Sequence, residues 1–176
     1  MTQRPIVFKG DDQFLSERLN FRTICAGDSA KLLLWRSAPH VCRQSKNSAV
    51  PMQHEHDAWL NALLGNPHSL RVIISEREKE REIGVVACDY KDNQYVLSYY
   101  LGEPEAQGKG YMFEALRAFL SYLMNEYGLE EMVAEVIETN GASVALLNKL
   151  GGLVARKEFL DGVTWLYYRV STTGMK

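Results

Sequence analysis

A turn containing two glycines joins a predicted strand directly to a long predicted helix. The strand ends near Leu101, the turn at residues 105–112 reads EAQGKGYM, and apolar residues recur at helical spacing from Tyr111 to Tyr127. Where a strand runs into a helix, the first helical turn presents unpaired N–H groups and the positive end of the helix dipole. The turn therefore predicts a backbone site for an anion such as pyrophosphate. An ordinary glycine-containing helix start without a ligand is the alternative.

The glycine spacing separates this turn from two common phosphate-binding motifs. A Walker loop requires GxxxxGK followed by Ser or Thr, a pattern that the sequence lacks. A dinucleotide-binding fingerprint requires a third glycine at the position that Phe113 occupies. Gly108 and Gly110 would still let the backbone approach a pyrophosphate closely.

The order of the predicted elements indicates an α+β fold. Three strand-like runs with short connections are typical of an antiparallel meander, and the C-terminal half alternates helices with strands. Asp92-Asn93 and Asp161-Gly162 supply turns, and the second dipeptide favours a tight hairpin. The predicted strands occupy residues 19–25, 70–75, 83–90, 95–101, 132–137, 154–160 and 164–170, and the predicted helices lie around residues 28–36, 52–64, 111–127 and 142–150.

The N-terminal third of the chain carries weaker patterns. Residues 1–19 show no clear period and are expected to form an extension before the first strand. Asp28 is expected to cap the first helix, and residues 37–51 are expected to form a loop. Gly65, two residues before Pro67, is expected to end the second helix in a left-handed conformation.

Composition limits the classes of protein to which the chain can belong. With 176 residues, 46% of them hydrophobic, residues 1–176 are expected to form a single domain. A formal charge of −2 argues against nucleic acid as a partner. Three dispersed cysteines without a CxxC pair argue against a disulfide framework and a metal site. No stretch approaches the roughly 18 apolar residues of a membrane helix, so we expect no membrane partner and a cytoplasmic location.

The glycine turn resembles the signature Gln/Arg-x-x-Gly-x-Gly/Ala of the GCN5-related N-acetyltransferases (GNAT). Met112 stands where that family has Gly or Ala. The residues that fit are Gln107, Gly108, Lys109, Gly110 and Tyr111. The resemblance implies the GNAT fold, a mixed and mostly antiparallel central sheet flanked by about four helices. It also implies that the turn binds acetyl-coenzyme A (acetyl-CoA), the acetyl donor.

A second segment, residues 135–151, resembles the family's strand, Asn-x-x-Ser/Ala helix and Lys-x-Gly ending. The resemblance implies that Asn140 and Ser143 lie near the pantetheine and sulfur of coenzyme A. The same two residues would serve equally as a helix N-cap and a first-turn polar residue. Gly152 stands where the family usually has Phe, which implies altered packing there.

Acetyl transfer requires a group that accepts a proton from the acceptor, because an alkylamine with a pKa around 10 is mostly protonated at pH 7. Glu135 is the expected base, acting directly or through a water, because it lies on the strand before the Asn140 helix; a structural role on a solvated strand face is the alternative. By the resemblance, backbone N–H groups of the preceding strand stabilise the thioester oxyanion. These residues are Ser98, Tyr99, Tyr100 and Leu101.

The position of the usual general acid departs from the family pattern. Many members have a tyrosine seven residues after the Asn, and here that position is Leu147. Ser143, Tyr99, Tyr100 or water is therefore expected to protonate the departing thiolate. A thiolate with a pKa near 8.5 is a tolerable leaving group, so a missing acid would slow transfer without preventing it.

The first two helices are expected to select the acceptor amine. Trp35-Arg36 and His56-x-x-Trp59 resemble elements of the acetyltransferases of pseudaminic acid biosynthesis, which act on a nucleotide-linked 4-amino sugar. Arginine pairs bidentately with phosphate, and aromatic rings stack on bases and sugars. The alternatives are core packing for the two tryptophans, surface exposure for Arg36 and a structural role for His56.

Other acceptors and one other class of function stay open at this point. Ribosomal-protein alanine acetyltransferases share the glycine turn and the Asn-x-x-Ser pattern, so a protein N-terminal amine is a second candidate acceptor, followed by small-molecule amines such as polyamines. Met112, Leu147 and Gly152 motivate a non-catalytic acyl-CoA sensor. Exposed strands in small folds of this kind favour a homodimer.

Overall fold

An eight-stranded sheet forms the centre of the computed structural model, which describes residues 4–174. Its strands are β1 (Gln13–Leu15), β2 (Leu19–Thr23), β3 (Ser69–Glu76), β4 (Arg81–Lys91), β5 (Gln94–Leu101), β6 (Glu131–Ile137), β7 (Leu153–Leu160) and β8 (Val163–Ser171). They lie in the order β1-β2-β3-β4-β5-β6-β8-β7. Within the described residues β5 and β6 are the one parallel pair, and all other neighbours are antiparallel.

Helices cover both faces of this sheet. Within residues 4–174 they are α1 (Ser29–Ser37), α2 (Pro39–Cys42), α3 (Gln53–Leu64), α4 (Tyr111–Tyr127) and α5 (Gly141–Lys149). None of them is both long and apolar enough to cross a membrane. The predicted α+β class with a mostly antiparallel sheet is confirmed, with α2 as a short helix in addition to the four predicted.

The expected turns form as their residue types predict. The β3–β4–β5 meander closes through Asp92 and Asn93, whose φ angles are 50° and 61°. The β7–β8 hairpin closes through Asp161 and Gly162, with φ angles of 50° and 82°. Asn, Asp and Gly tolerate positive φ, so both hairpins follow from local sequence.

The parallel strands β5 and β6 pair over only two positions before they separate. The registered pairs are Val96 with Val133 and Leu97 with Ala134. Beyond them β5 continues beside β4 as far as Leu101, and β6 continues beside β8 as far as Ile137. The sheet is therefore split open at the C-terminal ends of these strands, and β5 there lacks a strand partner on its β6 side.

The two faces of the sheet carry separate apolar clusters. On one face α4 buries Leu116, Phe119 and Leu120 completely against the strands. On the other face α1 and α3 pack Trp35 and Leu60 against the strands in a smaller cluster. Burial of such side chains stabilises each by about 1.5–3 kcal/mol. Each set of helices is thus fixed to its own side of the sheet.

The sequence predicts only an extension of uncertain structure over residues 1–19, and there the structure adds the strand β1; residues 1–3 lie outside the described part of the chain. β1 pairs with β2, and the ring of Phe14 stacks between Phe21 and Tyr122 with centroid distances of 4.4 and 4.2 Å. A three-residue strand is too short to produce a recognisable alternation. Its stability comes from aromatic packing against α4.

Three further local predictions are corrected. The segment expected to be a loop contains α2, a single turn that begins at Pro39. Asp28 precedes α1 but makes no side-chain cap, because its carboxylate accepts hydrogen bonds from Arg22 and from the Cys25 N–H at 2.8 Å. Gly65 follows α3 with φ at −86°, so this helix ends without a left-handed residue.

Glu76 at the end of β3 holds the first residue of α4. Its side chain is 3% exposed, accepts from the Tyr111 hydroxyl at 2.7 Å and pairs with Arg81 Nε at 2.9 Å. The hydrogen bond from Tyr111, helped by Arg81, outweighs burial and lowers the pKa of Glu76. A lowered folded-state pKa means that this stabilisation is present above the ordinary glutamate pKa and is lost as pH falls through the folded value.

We predict that Glu76→Gln lowers the free energy of unfolding by about 1–3 kcal/mol at neutral pH, because a buried charged acceptor is replaced. The difference from wild type should shrink as the pH falls below about 4. Urea unfolding followed by circular dichroism measures both. Glu105→Gln is the matched control, since Glu105 also pairs with Arg81 but its side chain is 77% exposed. An equal loss in both variants would contradict the assignment.

Candidate functional site

A cavity of about 1300 Å³ opens where β5 and β6 separate. Segments from α1 to α3 line it on one side of the sheet, and the starts of α4 and α5 line it on the other. The sequence-predicted residues in its lining are Arg36, His56, Trp59, Ser98, Tyr99, Tyr100, Leu101, Gln107, Gly108, Gly110, Tyr111, Met112, Glu135, Asn140 and Ser143. The fold thus brings most of the predicted site residues to one cavity.

Two of the predicted residues lie outside the lining. Trp35 is 2% exposed, belongs to the core between α1, α3 and the sheet, and donates from Nε1 to Glu103 at 2.8 Å. It therefore has the core role that the sequence left as an alternative. Lys109 lies in the glycine turn, where its carbonyl accepts from Arg18 Nη1 at 3.0 Å.

The glycine turn presents unpaired backbone donors to the cavity. Gly108 and Gly110 have φ angles of 72° and 76°, and no atom lies within 4 Å of the place where a Cβ on Gly108 would be. The N–H groups of residues 108–112 have no hydrogen-bond acceptor among residues 4–174. With the positive end of the 17-residue α4 behind them, these donors fit a diphosphate.

Met112, at the position where the family has Gly or Ala, leaves the N–H donors of the glycine turn free. The Met112 side chain is 8% exposed and packs in the main core beneath the turn. Its N–H belongs to the unpaired set. The extra side chain therefore does not block the backbone surface that an anion would contact.

The C-terminal end of β5 is held in place by the α1–α3 side of the protein. His40 on α2 donates from Nε2 to the carbonyl of Leu101 at 3.0 Å. Gly102 follows with its Cα against the Trp35 ring, so close that a Cβ would come within 2.1 Å of it. These contacts fix the unpaired edge of β5 in the wall of the cavity.

Asn140 and Ser143 form the start of α5 within the lining. Asn140 Oδ1 accepts from the Ser143 N–H, and Asn140 Nδ2 lies by the Ser143 hydroxyl, both at 3.2 Å. The helix-cap role left open by the sequence is therefore present. Both residues also line the cavity, so the capping role and a role in the cavity wall are compatible.

Tyr99 lies on the same side of the sheet as Ser143, whereas Leu147 faces the core. Burial raises the pKa of Tyr99 to about 12, opposed in part by the nearby Ser143 hydroxyl. Its phenol therefore carries its proton at neutral pH. Leu147, at the position of the family's tyrosine, is 0% exposed and has no access to the cavity.

Glu135 on β6 faces the α1–α3 side of the cavity and is paired with a lysine. Its carboxylate contacts the ammonium of Lys46, which comes from the loop after α2. The same ammonium lies 5.3 Å from the ring centroid of Trp165 and 5.2 Å from that of Tyr167. Burial lowers the Lys46 pKa, but the hydrogen bond and charge of Glu135 outweigh it and raise the value overall. The site thus already holds an alkylammonium group against a carboxylate and two aromatic rings.

The end of the cavity away from Glu135 is formed by His56, Trp59 and Arg71. The ring centroid of Trp59 lies 5.2 Å from that of His56 and 5.4 Å from Cζ of Arg71. Arg71 on β3 also pairs with Asp89 at 2.8 Å. Arg36 lines the cavity too, but its guanidinium already donates to the Asn47 carbonyl.

Sequence reasoning missed Lys46, Arg71 and His40. Arg71 had a usable signal, because it is a charged residue inside the apolar run of a predicted strand. Lys46 and His40 had none, since both lie in a stretch without periodicity. In the part of the chain that is described, no group of three or more His, Cys, Asp or Glu is arranged to hold a metal ion.

Comparison with protein families decides the identity of this fold. Residues 18–152 match the family model described as an acetyltransferase (GNAT) domain, which is most of the chain. The chain belongs to the GNAT acetyltransferase family. The family resemblance carried by the glycine turn and the Asn140 segment is confirmed.

Individual relatives of this GNAT chain are distant in sequence. An N-acetyltransferase 9-like protein of Nematostella vectensis is 26% identical over 133 residues, an alignment that covers 66% of this chain and 65% of that protein. The match thus spans less than two thirds of the relative's length.

Solved structures share the GNAT fold more completely. The spermidine N-acetyltransferase of Vibrio cholerae, in complex with CoA and spermine, superposes with a TM-score of 0.78 at 16% identity, covering 91% of this chain and 99% of that one. The ribosomal-protein-S5-alanine acetyltransferase of Vibrio fischeri superposes with a TM-score of 0.72 at 19% identity, covering 94% and 100%.

We predict that Gly108→Asp weakens coenzyme A binding at least about tenfold, because a carboxylate would stand among donors that fit a diphosphate. Gly108→Asn is the matched control: it has nearly the same shape, tolerates positive φ and adds no charge. Isothermal titration calorimetry with coenzyme A measures both affinities. Equal affinities for the Asp and Asn variants would show that the diphosphate binds elsewhere.

Proposed function

We propose that this protein is an acetyl-CoA-dependent N-acetyltransferase that acts on a primary amine. The observation that carries the proposal is the split between β5 and β6, which joins the unpaired amides of the glycine turn to Glu135 through one cavity. Membership in the GNAT family and the CoA and spermine complex of the Vibrio cholerae neighbour support it.

The two substrates enter from opposite faces of the sheet. Acetyl-CoA lies along the α4–α5 face, with its diphosphate on the N–H groups of residues 108–112 and its sulfur near Ser143. The acceptor enters from the α1–α3 face, where Glu135 and Lys46 meet. The split lets the amine reach the thioester, because no strand fills the gap between the two faces.

Glu135 takes the proton that makes the amine nucleophilic. The acceptor ammonium displaces the Lys46 ammonium from the Glu135 carboxylate and transfers a proton to it, directly or through a water. The neutral amine then attacks the thioester carbon, a C–N bond forms and the C–S bond breaks. Trp165 and Tyr167 favour a cationic group at this point through their ring faces.

The unpaired edge of β5 and Tyr99 act on the thioester, the first on its oxygen and the second on its sulfur. Backbone N–H groups in the free part of β5 stabilise the negative charge on the thioester oxygen. Tyr99, protonated at neutral pH, donates to the departing thiolate in place of the tyrosine that Leu147 replaces. Released coenzyme A leaves with its thiol protonated, and the second proton that the nitrogen loses as the amide forms restores the Tyr99 phenol through water.

A nucleotide-linked 4-amino sugar is the acceptor that we favour. The cavity of about 1300 Å³ has room beyond the cofactor, Arg36 contributes a guanidinium, and Trp59 exposes 41% of its surface for stacking. A protein N-terminal amine is the second candidate, favoured by the fold shared with the alanine acetyltransferase of Vibrio fischeri.

We predict that Glu135→Gln lowers kcat for amine acetylation by about 100-fold or more at pH 7, because the amine loses its proton acceptor. Release of free thiol from acetyl-CoA across a panel of amines measures the rate. Glu138→Gln is the control, since Glu138 lies just beyond the same strand and pairs with Lys157 outside the cavity. Near-normal transfer by Glu135→Gln would remove the base assignment. Coenzyme A binding by the wild type without thiol release on any amine would favour the sensor.

We predict that Tyr99→Phe lowers kcat about tenfold while leaving coenzyme A affinity within about twofold, since a thiolate leaves tolerably without an acid. The difference in kcat between wild type and Tyr99→Phe should shrink when a more acidic thiol carries the acetyl group, because such a thiolate leaves without being protonated. Steady-state kinetics with acetyl-CoA and an acetyl thioester of an aromatic thiol test this. An unchanged kcat would exclude Tyr99 as the acid.

A further inference from the structure

Two buried nitrogen atoms at the α3 end of the cavity have no partner within the protein. His56 Nε2 and Arg71 Nε make no hydrogen bond among residues 4–174. His56 is 3% exposed, and both residues line the cavity. Burying a polar nitrogen without a partner is unfavourable, so such atoms at a cavity wall indicate a ligand that completes them.

The two side chains lie against the same aromatic ring. The ring centroid of Trp59 is 5.2 Å from that of His56 and 5.4 Å from Arg71 Cζ. The Arg71 guanidinium already gives Nη2 to Asp89, which fixes its orientation and leaves Nε as a donor. Arginine Nε is always a donor, and His Nε2 is a donor in one tautomer and in the protonated ring. An oxygen acceptor is therefore the kind of partner that suits both nitrogens.

The charge around this place favours an oxyanion. The charged residues that line the cavity are the cations Arg36, Arg43, Lys46 and Arg71 and the anions Glu55 and Glu135, an excess of two positive charges in a chain of net charge −2. All four cations precede β4, so they belong to the acceptor side. Both Arg71 and Arg36 act on the Tyr100 hydroxyl, where they oppose the rise in its pKa to about 12 that burial causes.

The sheet register sets the distance from this place to Glu135. Arg71 pairs with Ala87, and Ala87 pairs with Ser98, so these residues form one row across β3, β4 and β5. Glu135 lies one strand further on the same face. Three strand spacings of about 4.8 Å place the backbones at least about 14 Å apart, because β5 and β6 have begun to separate at this row. The side chains reach inward from both ends, which leaves a ligand span on the order of 10 Å.

We propose that the acceptor is a primary amine with a carboxylate or phosphate on the order of 10 Å from its nitrogen, and that His56 and Arg71 bind this oxyanion while Glu135 holds the amine. This rests on the proposed acetyl transfer and names the class of acceptor. Arg71 then takes the anion-binding role that the sequence suggested for Arg36.

Three probes of equal length test the proposal. 8-Aminooctanoate, 6-aminohexyl phosphate and the neutral 8-aminooctanamide carry similar amines and differ at the far end. We expect kcat/KM for at least one anionic probe to exceed that for the amide tenfold or more, mainly through a lower KM. The shorter 4-aminobutanoate should not show this higher kcat/KM, because its carboxylate lies too close to its amine. Preference for the carboxylate indicates an acidic amino compound, and preference for the phosphate indicates a sugar phosphate or nucleotide. Equal values for all three probes overturn the proposal and leave acetyl transfer standing.

Variants of Arg71 and His56 test whether these residues cause the preference for anionic probes. Arg71→Met and His56→Leu should each reduce the ratio of anionic to neutral kcat/KM to about threefold or less. Asp89→Asn is the matched control, because it removes the negative charge but keeps an oxygen that accepts from Arg71 Nη2, and it should preserve the ratio. Loss of the ratio in Asp89→Asn alone, or its persistence in His56→Leu, contradicts the assignment.

Fluorescence gives a readout that does not need turnover. Binding of 8-aminooctanoate or 6-aminohexyl phosphate to the coenzyme A-loaded protein should change the emission of Trp59, and Trp59→Phe should abolish that change. Saturable binding of an anionic probe, together with no release of thiol from acetyl-CoA on any amine of the panel, supports this oxyanion site and overturns the proposed enzymatic function. Absence of both binding and a kinetic preference overturns the oxyanion site.

Discussion

The early end of pairing between β5 and β6 is the constraint on which the rest of the site depends. After two registered pairs, β5 follows β4 and β6 follows β8, so neither strand can satisfy the other's backbone groups. In a closed sheet these N–H and C=O groups would be used for pairing. Here they remain available at the wall of a cavity that passes from one face of the sheet to the other.

The separation of the two faces gives each proposed substrate its own surroundings. The α4–α5 side supplies neutral donors, namely the unpaired amides of residues 108–112 and the hydroxyls of Tyr99 and Ser143. The α1–α3 side supplies charges, including the Lys46–Glu135 pair and the guanidinium of Arg71. A diphosphate fits aligned amides, whereas an ammonium requires a carboxylate. The proposed reaction uses the one point at which these surroundings meet.

Local sequence was sufficient where a short stretch of chain fixes its own conformation. The bounds of α4 follow from helical periodicity, and the β7–β8 hairpin follows from Asp161 and Gly162. It was insufficient for β1 and α2, because three- and four-residue elements have no measurable period and depend on partners elsewhere in the chain. The cap expected at Asp28 failed for a similar reason, since Arg22 offers a stronger charged partner than the helix amides.

The sequence by itself determined the family, the glycine turn at the start of α4 and the choice of Glu135 as the base to consider, because these are properties of contiguous residues. Only the tertiary structure decided that Trp35 is a core residue, that Lys46 contacts Glu135, and that Arg71 joins His56 around Trp59. These neighbours come from separate strands, helices and loops. Their proximity results from the packing of α1 to α3 against the sheet, and no local pattern of residues encodes that packing.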